Sequence, residues 1–176
     1  MRKWIIGAAV WLVLAACSDG KRGKAVDQYA KNRDAFTKTL QRNGFTLQFD
    51  YIPSGALSQS GNPADTLSEN RLYHFRLQVI CPVANDGVSK DKTIFYYGLD
   101  SLFTLGAENL TVMPVSVEPV TTGIATRFEY LVTIAAKDLV PGKQLEIIYH
   151  DRLFTNTRMS FVFDRTQIDE LEKTYS

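Results

Sequence analysis

The chain has 176 residues, with 20 lysines and arginines against 19 aspartates and glutamates, and 45% of its residues are hydrophobic. This is enough apolar sequence for one globular domain with a buried core. The nearly balanced charge gives no electrostatic reason to expect a nucleic-acid partner, and the two cysteines are too few for a disulfide framework.

The first element of the chain is a short apolar segment behind a basic head. Arg2 and Lys3 precede an uncharged run over residues 4–16. As a helix this run would be about 20 Å long at roughly 1.5 Å per residue, whereas a bilayer core is about 30 Å thick. A basic head, a short apolar stretch and small residues before a cleavage site are typical of a secretory signal peptide, so residues 1–16 are predicted to be one.

The last residues of this segment indicate which kind of signal peptide it is. Leu14-Ala15-Ala16-Cys17 resembles the lipobox of bacterial lipoproteins, in which an aliphatic residue and two small ones precede the modified cysteine. The resemblance implies cleavage before Cys17, a diacylglycerol on its sulfur and palmitate or a similar acyl chain on the new amine. Two or more acyl chains anchor a protein stably, so the resemblance also implies a membrane partner. An ordinary signal peptide followed by an unmodified cysteine is the alternative.

The residues after the cysteine predict a destination and a tether. In enteric lipoproteins a serine directly after the cysteine, rather than an aspartate, permits export to the outer membrane. Ser18 occupies this position, and the resemblance therefore implies an outer-membrane lipoprotein. Residues 17–24 are small, polar and glycine-containing, and they are predicted to form the lipidated, flexible tether.

Residues 25–44 are predicted to form a helix that packs on the following domain, with a short coiled-coil contact as the alternative. The segment contains no proline, and its apolar residues fall on one helical stripe, namely Val26, Tyr29, Phe36 and Leu40. Asn43-Gly44 is interpreted as the end of the helix, because glycine tolerates the left-handed conformation of a helix cap.

Apolar and polar residues alternate along most of the chain from residue 45 to residue 163, which is the period of a half-buried strand. Pro114 and Pro119 indicate that residues 110–120 form an edge strand or one that switches sheets, because proline cannot donate to a strand ladder. Asp164 is a candidate N-cap for a closing helix over residues 166–173.

Strands joined by turns rather than by helices predict an antiparallel architecture. Residues 45–176 are therefore expected to form a mainly β domain, an antiparallel β-sandwich of immunoglobulin-like or transthyretin-like type. An N-terminal helix precedes the sandwich and a short C-terminal helix closes it. The order of helix, Tyr-x-Pro turn (Tyr51, Pro53) and sandwich also resembles uncharacterised lipoproteins of the Bacteroidota, a resemblance that implies no particular activity.

The sequence offers no obvious catalytic or metal-binding pattern. His74 and His150 alternate out of phase with the apolar residues and are expected on polar strand faces, with no His-x-His or His-x-x-x-His spacing to hold a metal. Cys81 alternates in phase with the core residues and is expected to be a buried thiol without an intrachain partner. We therefore predict no enzyme activity, no metal site and no cofactor; carboxylates brought together from distant strands are the alternative.

One segment, residues 95–105, is unusually rich in large apolar side chains. It is interpreted either as a helical turn or lid over the core, or as an exposed surface, since aromatic clusters contact protein partners and stack on sugars. The candidate binding surface consists of Phe95, Tyr96, Tyr97, Leu99, Leu102 and Phe103.

These observations predict a membrane-anchored envelope lipoprotein that acts as a non-catalytic interaction or adaptor module with an envelope protein partner. The alternative is a glycan-binding or small-ligand-binding module that uses the aromatic rings of residues 95–97 as its platform.

Overall fold

The computed structural model describes residues 27–57, 71–82, 97–107, 110–139 and 142–175. The predicted signal peptide, Cys17 and the tether lie outside the described residues, as do Phe95 and Tyr96 of the candidate surface. Within the described ranges, no helix combines the length and the apolar character needed to cross a bilayer.

The described residues form two antiparallel sheets that pack face to face. Sheet 1 has the strand order β1-β2-β3-β7-β6 and sheet 2 has the order β5-β4-β8-β9. The strands are β1 (Thr37–Arg42), β2 (Phe45–Ile52), β3 (Leu72–Ile80), β4 (Phe103–Ala107), β5 (Leu110–Val112), β6 (Ser116–Val120), β7 (Arg127–Ala135), β8 (Gln144–Asp151) and β9 (Thr157–Asp164). The helices are α1 (Arg33–Phe36), α2 (Ser54–Leu57) and α3 (Arg165–Tyr175). The predicted mainly β sandwich with a C-terminal helix is confirmed.

The core is built from aromatic side chains that alternate along the inner faces of both sheets. Phe49 of β2 is fully buried, and its ring lies 5.7 Å from that of Phe75 in the same sheet. It also contacts sheet 2, with centroid distances of 6.2 Å to Phe103 and 5.1 Å to Phe161. Such tilted and stacked ring contacts add to the burial of apolar area, so Phe49 joins the two sheets at their centre.

The prediction of one helix over residues 25–44 is wrong in its second half. Helical structure covers residues 27–31 and α1, but the chain then becomes strand β1, which pairs with β2 from Thr37↔Asp50 to Arg42↔Phe45. Asn43 and Gly44 form the two-residue connection with φ values of +51° and +82°. This is the geometry of a type I′ hairpin turn, whose twist matches that of the paired strands. The Asn-Gly pair is therefore a hairpin signal here and not a helix cap.

The two strands on either side of Pro114 satisfy both alternatives that the sequence left open. β5 lies at the edge of sheet 2, where it pairs with β4, and β6 lies at the edge of sheet 1, where it pairs with β7. The chain therefore switches sheets between residues 112 and 116, with Pro114 buried at the crossing. Pro119 lies within the edge strand β6, where its missing N–H is tolerated.

The sandwich has two unlike ends. We call one the helix end, because it carries α2 and α3; it comprises residues 27–37, 51–57, 71–73, 135–139, 143 and 164–175. We call the other the turn end, because hairpin turns and loops form it; it comprises residues 40–46, 79–82, 99–102, 119–129 and 150–158. At the turn end the ring of Phe154 lies 5.9 Å from Phe45 and 5.0 Å from Phe128, so side chains from both sheets close this end.

Candidate functional site

The described chain begins at the helix end. The Thr174 hydroxyl of α3 donates to Gln28 Oε1 at 3.0 Å, and the ring of Tyr29 stacks on that of Phe36 at 5.3 Å. The Tyr29 hydroxyl also donates to the Tyr51 carbonyl at 3.3 Å. These contacts hold the first described residues beside α3, so the N-terminal chain joins the fold at the helix end.

Two carboxylates three residues apart on α3 attach this helix to sheet 1. Glu172 is 3% exposed and accepts hydrogen bonds from the Tyr51 hydroxyl at 2.5 Å, from the Ser54 N–H at 2.9 Å and from the Ser54 hydroxyl. Burial, and then the Glu172 carboxylate, raises the pKa of Tyr51, which keeps the phenol protonated as a donor.

The second carboxylate of α3 belongs to Asp169. It accepts a hydrogen bond from the Tyr73 hydroxyl at 2.6 Å and pairs with Arg71 at 3.0 Å. The two carboxylates on this face are thus both engaged with donors from sheet 1 and α2. Their chemistry here is structural, since they satisfy buried hydroxyl groups and fix the position of the helix.

The two histidines lie on the outer faces of different sheets. His74 Nδ1 is 3.3 Å from Thr133 Oγ1 in sheet 1, and His150 Nε2 is 3.2 Å from Thr104 Oγ1 in sheet 2. Each is partly buried rather than fully solvated, and burial lowers the pKa of His74. The polar-face placement predicted from the alternation is confirmed, and the structure does not bring the two rings together.

Cys81 faces the core, as predicted. It is 5% exposed, and burial followed by the charge of Asp151 raises the pKa of its thiol to about 11. A thiol with this pKa stays protonated near neutral pH and is a poor nucleophile. Among the residues that the structure describes, no group of three or more His, Cys, Asp and Glu side chains is placed to hold a metal ion.

Asp151 organises the loop that follows β8, a role that the sequence reasoning missed. Its side chain is buried and accepts hydrogen bonds from the backbone N–H groups of Leu153, Phe154 and Thr155 at 3.0, 2.9 and 2.8 Å. The hydroxyls of Thr155 and Tyr149 also donate to it, at 2.6 and 3.1 Å. An aspartate that bonds the backbone two residues on is an Asx turn, so Asp151 at the end of an apolar strand was the available sequence signal.

The candidate aromatic surface is not formed as a unit. Tyr97 is 76% exposed, but Leu99 and Leu102 are each 3% exposed and Phe103 is 1% exposed. Leu99–Leu102 form a 3-10 turn that packs on the core, and Phe103 stacks on Tyr149 at 4.9 Å. For Leu99, Leu102 and Phe103 the interpretation as a lid over the core is confirmed, and a binding surface that includes these three buried side chains is wrong. Gly98 permits the tight turn because it adopts φ +66°.

A cavity lies instead at the turn end, along the hairpin of β6 and β7. Its volume is about 320 Å³. Val120 and Ile124 line it and remain 43% and 51% exposed, although both are large apolar side chains. Sequence reasoning missed this site, and the available signal was an apolar isoleucine in a turn, residues 121–126, that carries no charge. The remaining lining residues are Pro119, Thr121, Thr122, Gly123, Ala125, Arg127, Phe128, Glu129 and Tyr130.

A charged pair forms part of the lining of this cavity. Arg127 Nε lies 2.8 Å from Glu129 Oε1, and Arg127 Nη2 donates to Gln78 Oε1 at 2.7 Å. The Arg127 side chain is 35% exposed, whereas that of Glu129 is only 11% exposed. The cavity therefore combines aliphatic walls with a cationic group that is more accessible than its partner.

Three further arginines surround the turn end. Arg42, Arg152 and Arg158 are exposed, and none of them forms an ion pair with any residue in the described ranges. Of the acidic residues described at this end, Glu129 pairs with Arg127 and Asp151 accepts hydrogen bonds from its own loop, whereas Asp100, in the turn before β4, is exposed. Among the described residues of this end, exposed arginines therefore outnumber exposed carboxylates.

Comparison with known proteins gives no homologue from which a role could be transferred to these residues: no family model, curated protein or solved structure matches the chain.

Proposed function

We propose that the protein is an outer-membrane lipoprotein, anchored through Cys17, that acts as a non-catalytic interaction module and presents its turn end to an envelope protein. The observation that carries this proposal is the opposition of the two ends. The first described residues join the fold at the helix end, beside Thr174, while the cavity and the three exposed arginines lie at the turn end.

The proposed tether, residues 17–24, would hold the helix end near the membrane, because residues 25 and 26 alone separate it from the first described residue. If all ten residues from 17 to 26 were flexible, their root-mean-square reach would be about 18 Å, and it could not exceed about 36 Å. The turn end would then point away from the lipid, where a partner can approach it.

The non-catalytic part of the proposal is supported by the placement of the reactive side chains. His74 and His150 lie on different sheets, each beside a threonine hydroxyl. Cys81 is a buried thiol with a raised pKa, and the carboxylates of Asp169 and Glu172 hold α3 in place. Each of these groups has a structural role that accounts for its position.

Metabolic labelling with palmitate tests the anchor, and the second cysteine supplies a matched control. The Cys81→Ala variant should keep the label and stay in the membrane fraction, whereas Cys17→Ala should lose the label and accumulate as the uncleaved precursor. Label retained in Cys17→Ala, or an unlabelled wild-type protein, would refute lipidation at this residue.

Site-specific photo-crosslinking in cells tests the interaction role. A photoreactive amino acid at Ile124 samples the turn end, and one at Glu170, exposed on α3, samples the helix end. We expect the same envelope protein to be captured reproducibly from position 124 and not from position 170. Failure of both positions to capture a reproducible partner would count against an adaptor role.

The cavity also favours a second candidate, a binding module for a glycan or another small ligand. Its volume of about 320 Å³ lies at the lower end of the range for small-molecule sites, about 300–1,000 Å³, and Tyr97 is an exposed ring of the kind on which sugars stack. This candidate predicts a glycan-array signal that is lost on Tyr97→Ala or Ile124→Ser. A silent array would leave the protein-partner proposal as the better one.

A further inference from the structure

We propose that the turn end binds an acidic segment of a protein partner. An apolar side chain of that segment occupies the cavity beside Val120 and Ile124, and its carboxylates contact Arg42, Arg152 and Arg158. This inference rests on the proposed role as an interaction module and adds the chemistry of the partner.

Strand pairing and loop position put the three arginines at the turn end, with Arg42 on β1, at the edge of sheet 1 opposite to β6, so a segment that contacts them and the cavity crosses the width of this end. Arg42 pairs with Phe45 at the start of the first hairpin, and the ring of Phe45 contacts that of Phe154. Arg152 lies two residues before Phe154, and Arg158 pairs with His150 on the neighbouring strand. Residues that are remote in sequence thus present guanidinium groups at the same end of the molecule.

The described residues of this end carry more exposed basic than acidic side chains, namely Arg42, Arg152 and Arg158 against Asp100. The Asp151 carboxylate accepts hydrogen bonds from the backbone of its own loop, and Glu129 is largely buried beside Arg127. At the helix end, by contrast, Arg71 and Arg165 lie 3.0 and 3.9 Å from Asp169. Uncompensated exposed arginines accelerate and orient the association of an oppositely charged partner.

The exposed aliphatic walls of the cavity favour an apolar side chain of a polypeptide. Val120 and Ile124 are the exposed large hydrophobic residues of the lining, whereas the ring of Phe128, which also lines the cavity, is partly buried and packs against Phe154. Stacking of a sugar ring needs a flat accessible aromatic face, and aliphatic walls supply none. A volume of about 320 Å³ suits one apolar side chain and its adjoining backbone, and guanidinium groups bind the carboxylates of flanking acidic residues in a bidentate manner.

Binding of defined synthetic peptides to the full chain, purified in detergent and immobilised, tests the inference. The first probe is a peptide of aspartate and glutamate with one central leucine. The second replaces the leucine by alanine, and the third replaces every acidic residue by lysine. We expect the first peptide to bind, the second to bind about tenfold more weakly because it buries less apolar area, and the third not to bind. Rising salt concentration should weaken the first complex.

Charge-reversal variants locate the bound peptide. Arg152→Glu combined with Arg158→Glu should weaken binding of the acidic peptide by about tenfold or more, because each exposed charge contributes modestly and reversal replaces attraction by repulsion. The matched control, Lys137→Glu combined with Lys143→Glu, reverses two exposed lysines of the helix end and should leave the affinity unchanged. Ile124→Ser should abolish the preference for leucine over alanine while the circular dichroism spectrum stays that of the wild type.

Three results would overturn the inference. One is equal weakening by the two double variants, which would indicate non-specific attraction. Another is arginine-dependent binding to phosphatidylglycerol vesicles or to an anionic glycan without binding of the acidic peptide. The third is reproducible capture of a partner from position 170 but not from position 124. That last result would leave the adaptor role intact and refute only the assignment of the turn end.

Discussion

Replacement of Asp151 by alanine should destabilise the protein strongly, because one side chain satisfies most of the donors in the loop over residues 152–156. The carboxylate is 1% exposed and accepts three backbone N–H groups and two hydroxyls. A buried donor left without a partner costs about 1–3 kcal/mol. Partial rearrangement of the loop recovers some of that loss, so we expect the free energy of unfolding to fall by about 3–5 kcal/mol.

The asparagine variant separates the contributions of the two oxygens. Asp151 Oδ1 accepts the N–H groups of Leu153 and Phe154, whereas Oδ2 accepts the N–H and the hydroxyl of Thr155. Asparagine keeps the first oxygen but places an NH₂ group opposite the N–H and the hydroxyl of Thr155. The hydroxyl can rotate to donate to Thr157 and accept from the NH₂ group, so the Thr155 N–H is the donor that loses its acceptor. The expected loss for Asp151→Asn is about 1–2 kcal/mol.

Urea unfolding followed by circular dichroism measures both losses. Asp164→Ala is a suitable comparison, since Asp164 caps α3 through the Thr166 N–H at 2.9 Å but is exposed, and its loss should cost about 1 kcal/mol. The wild type is expected to have the highest free energy of unfolding. Asp164→Ala and Asp151→Asn should be less stable by similar amounts, and Asp151→Ala should be the least stable. An Asp151→Ala variant within 1 kcal/mol of the wild type would show that the loop does not depend on this carboxylate.

Three other predictions follow from backbone geometry and burial. Gly44→Ala should cost about 1–2 kcal/mol because Gly44 has φ +82°, whereas Gly142→Ala, with no atom within 4 Å of the added Cβ, should be nearly neutral in the same urea assay. Burial lowers the pKa of His74 below its ordinary value of 6.5, so the unfolded chain binds the proton more tightly. The stabilising contribution of the neutral ring is therefore present above pH 6.5 and lost as the pH falls towards the folded-state value. His74→Gln should flatten this part of the pH dependence of unfolding, and an unchanged profile would contradict the assignment. Cys81, buried and with a pKa of about 11, should react with a maleimide slowly in the native protein and rapidly in urea; equal rates would show that it is accessible.

The sandwich was predictable because burial of one sheet face imposes a period of two on the sequence. The same rule placed Cys81 in the core and the histidines on polar faces. The period-two rule failed for residues 37–42, because Leu40 lies four residues after Phe36 and therefore also fits a helical stripe. Asn43-Gly44 is compatible with a helix end and with a hairpin, and only the pairing of β1 with β2 decides between them. Local sequence does not contain that tertiary contact.

The candidate site was less predictable than the fold, for a different reason. The aromatic segment over residues 95–105 drew attention as a cluster in sequence, yet its leucines and Phe103 contribute to the core. The proposed basic surface consists of Arg42, Arg152 and Arg158, and no local sequence pattern marks any of these arginines. They share one end of the molecule because β1 pairs with β2 and β8 pairs with β9. A surface assembled from separate hairpins has no signal in a single sequence.

Because the first described residues and the cavity lie at opposite ends of the domain, the proposed anchor also sets an approximate distance between the membrane and a partner bound at the turn end. An eight-residue strand such as β2 is about 26 Å long at roughly 3.3 Å per residue, which approximates the distance from the helix end to the turn end. With the proposed lipid at Cys17 and a tether of about 18 Å root-mean-square reach, the turn end would lie about 45 Å from the bilayer surface when the domain stands upright. The proposed acidic segment, if bound at that distance, would belong to a protein that projects from the membrane or is not embedded in it. A partner confined to the headgroup region would instead meet α3 and the helix end.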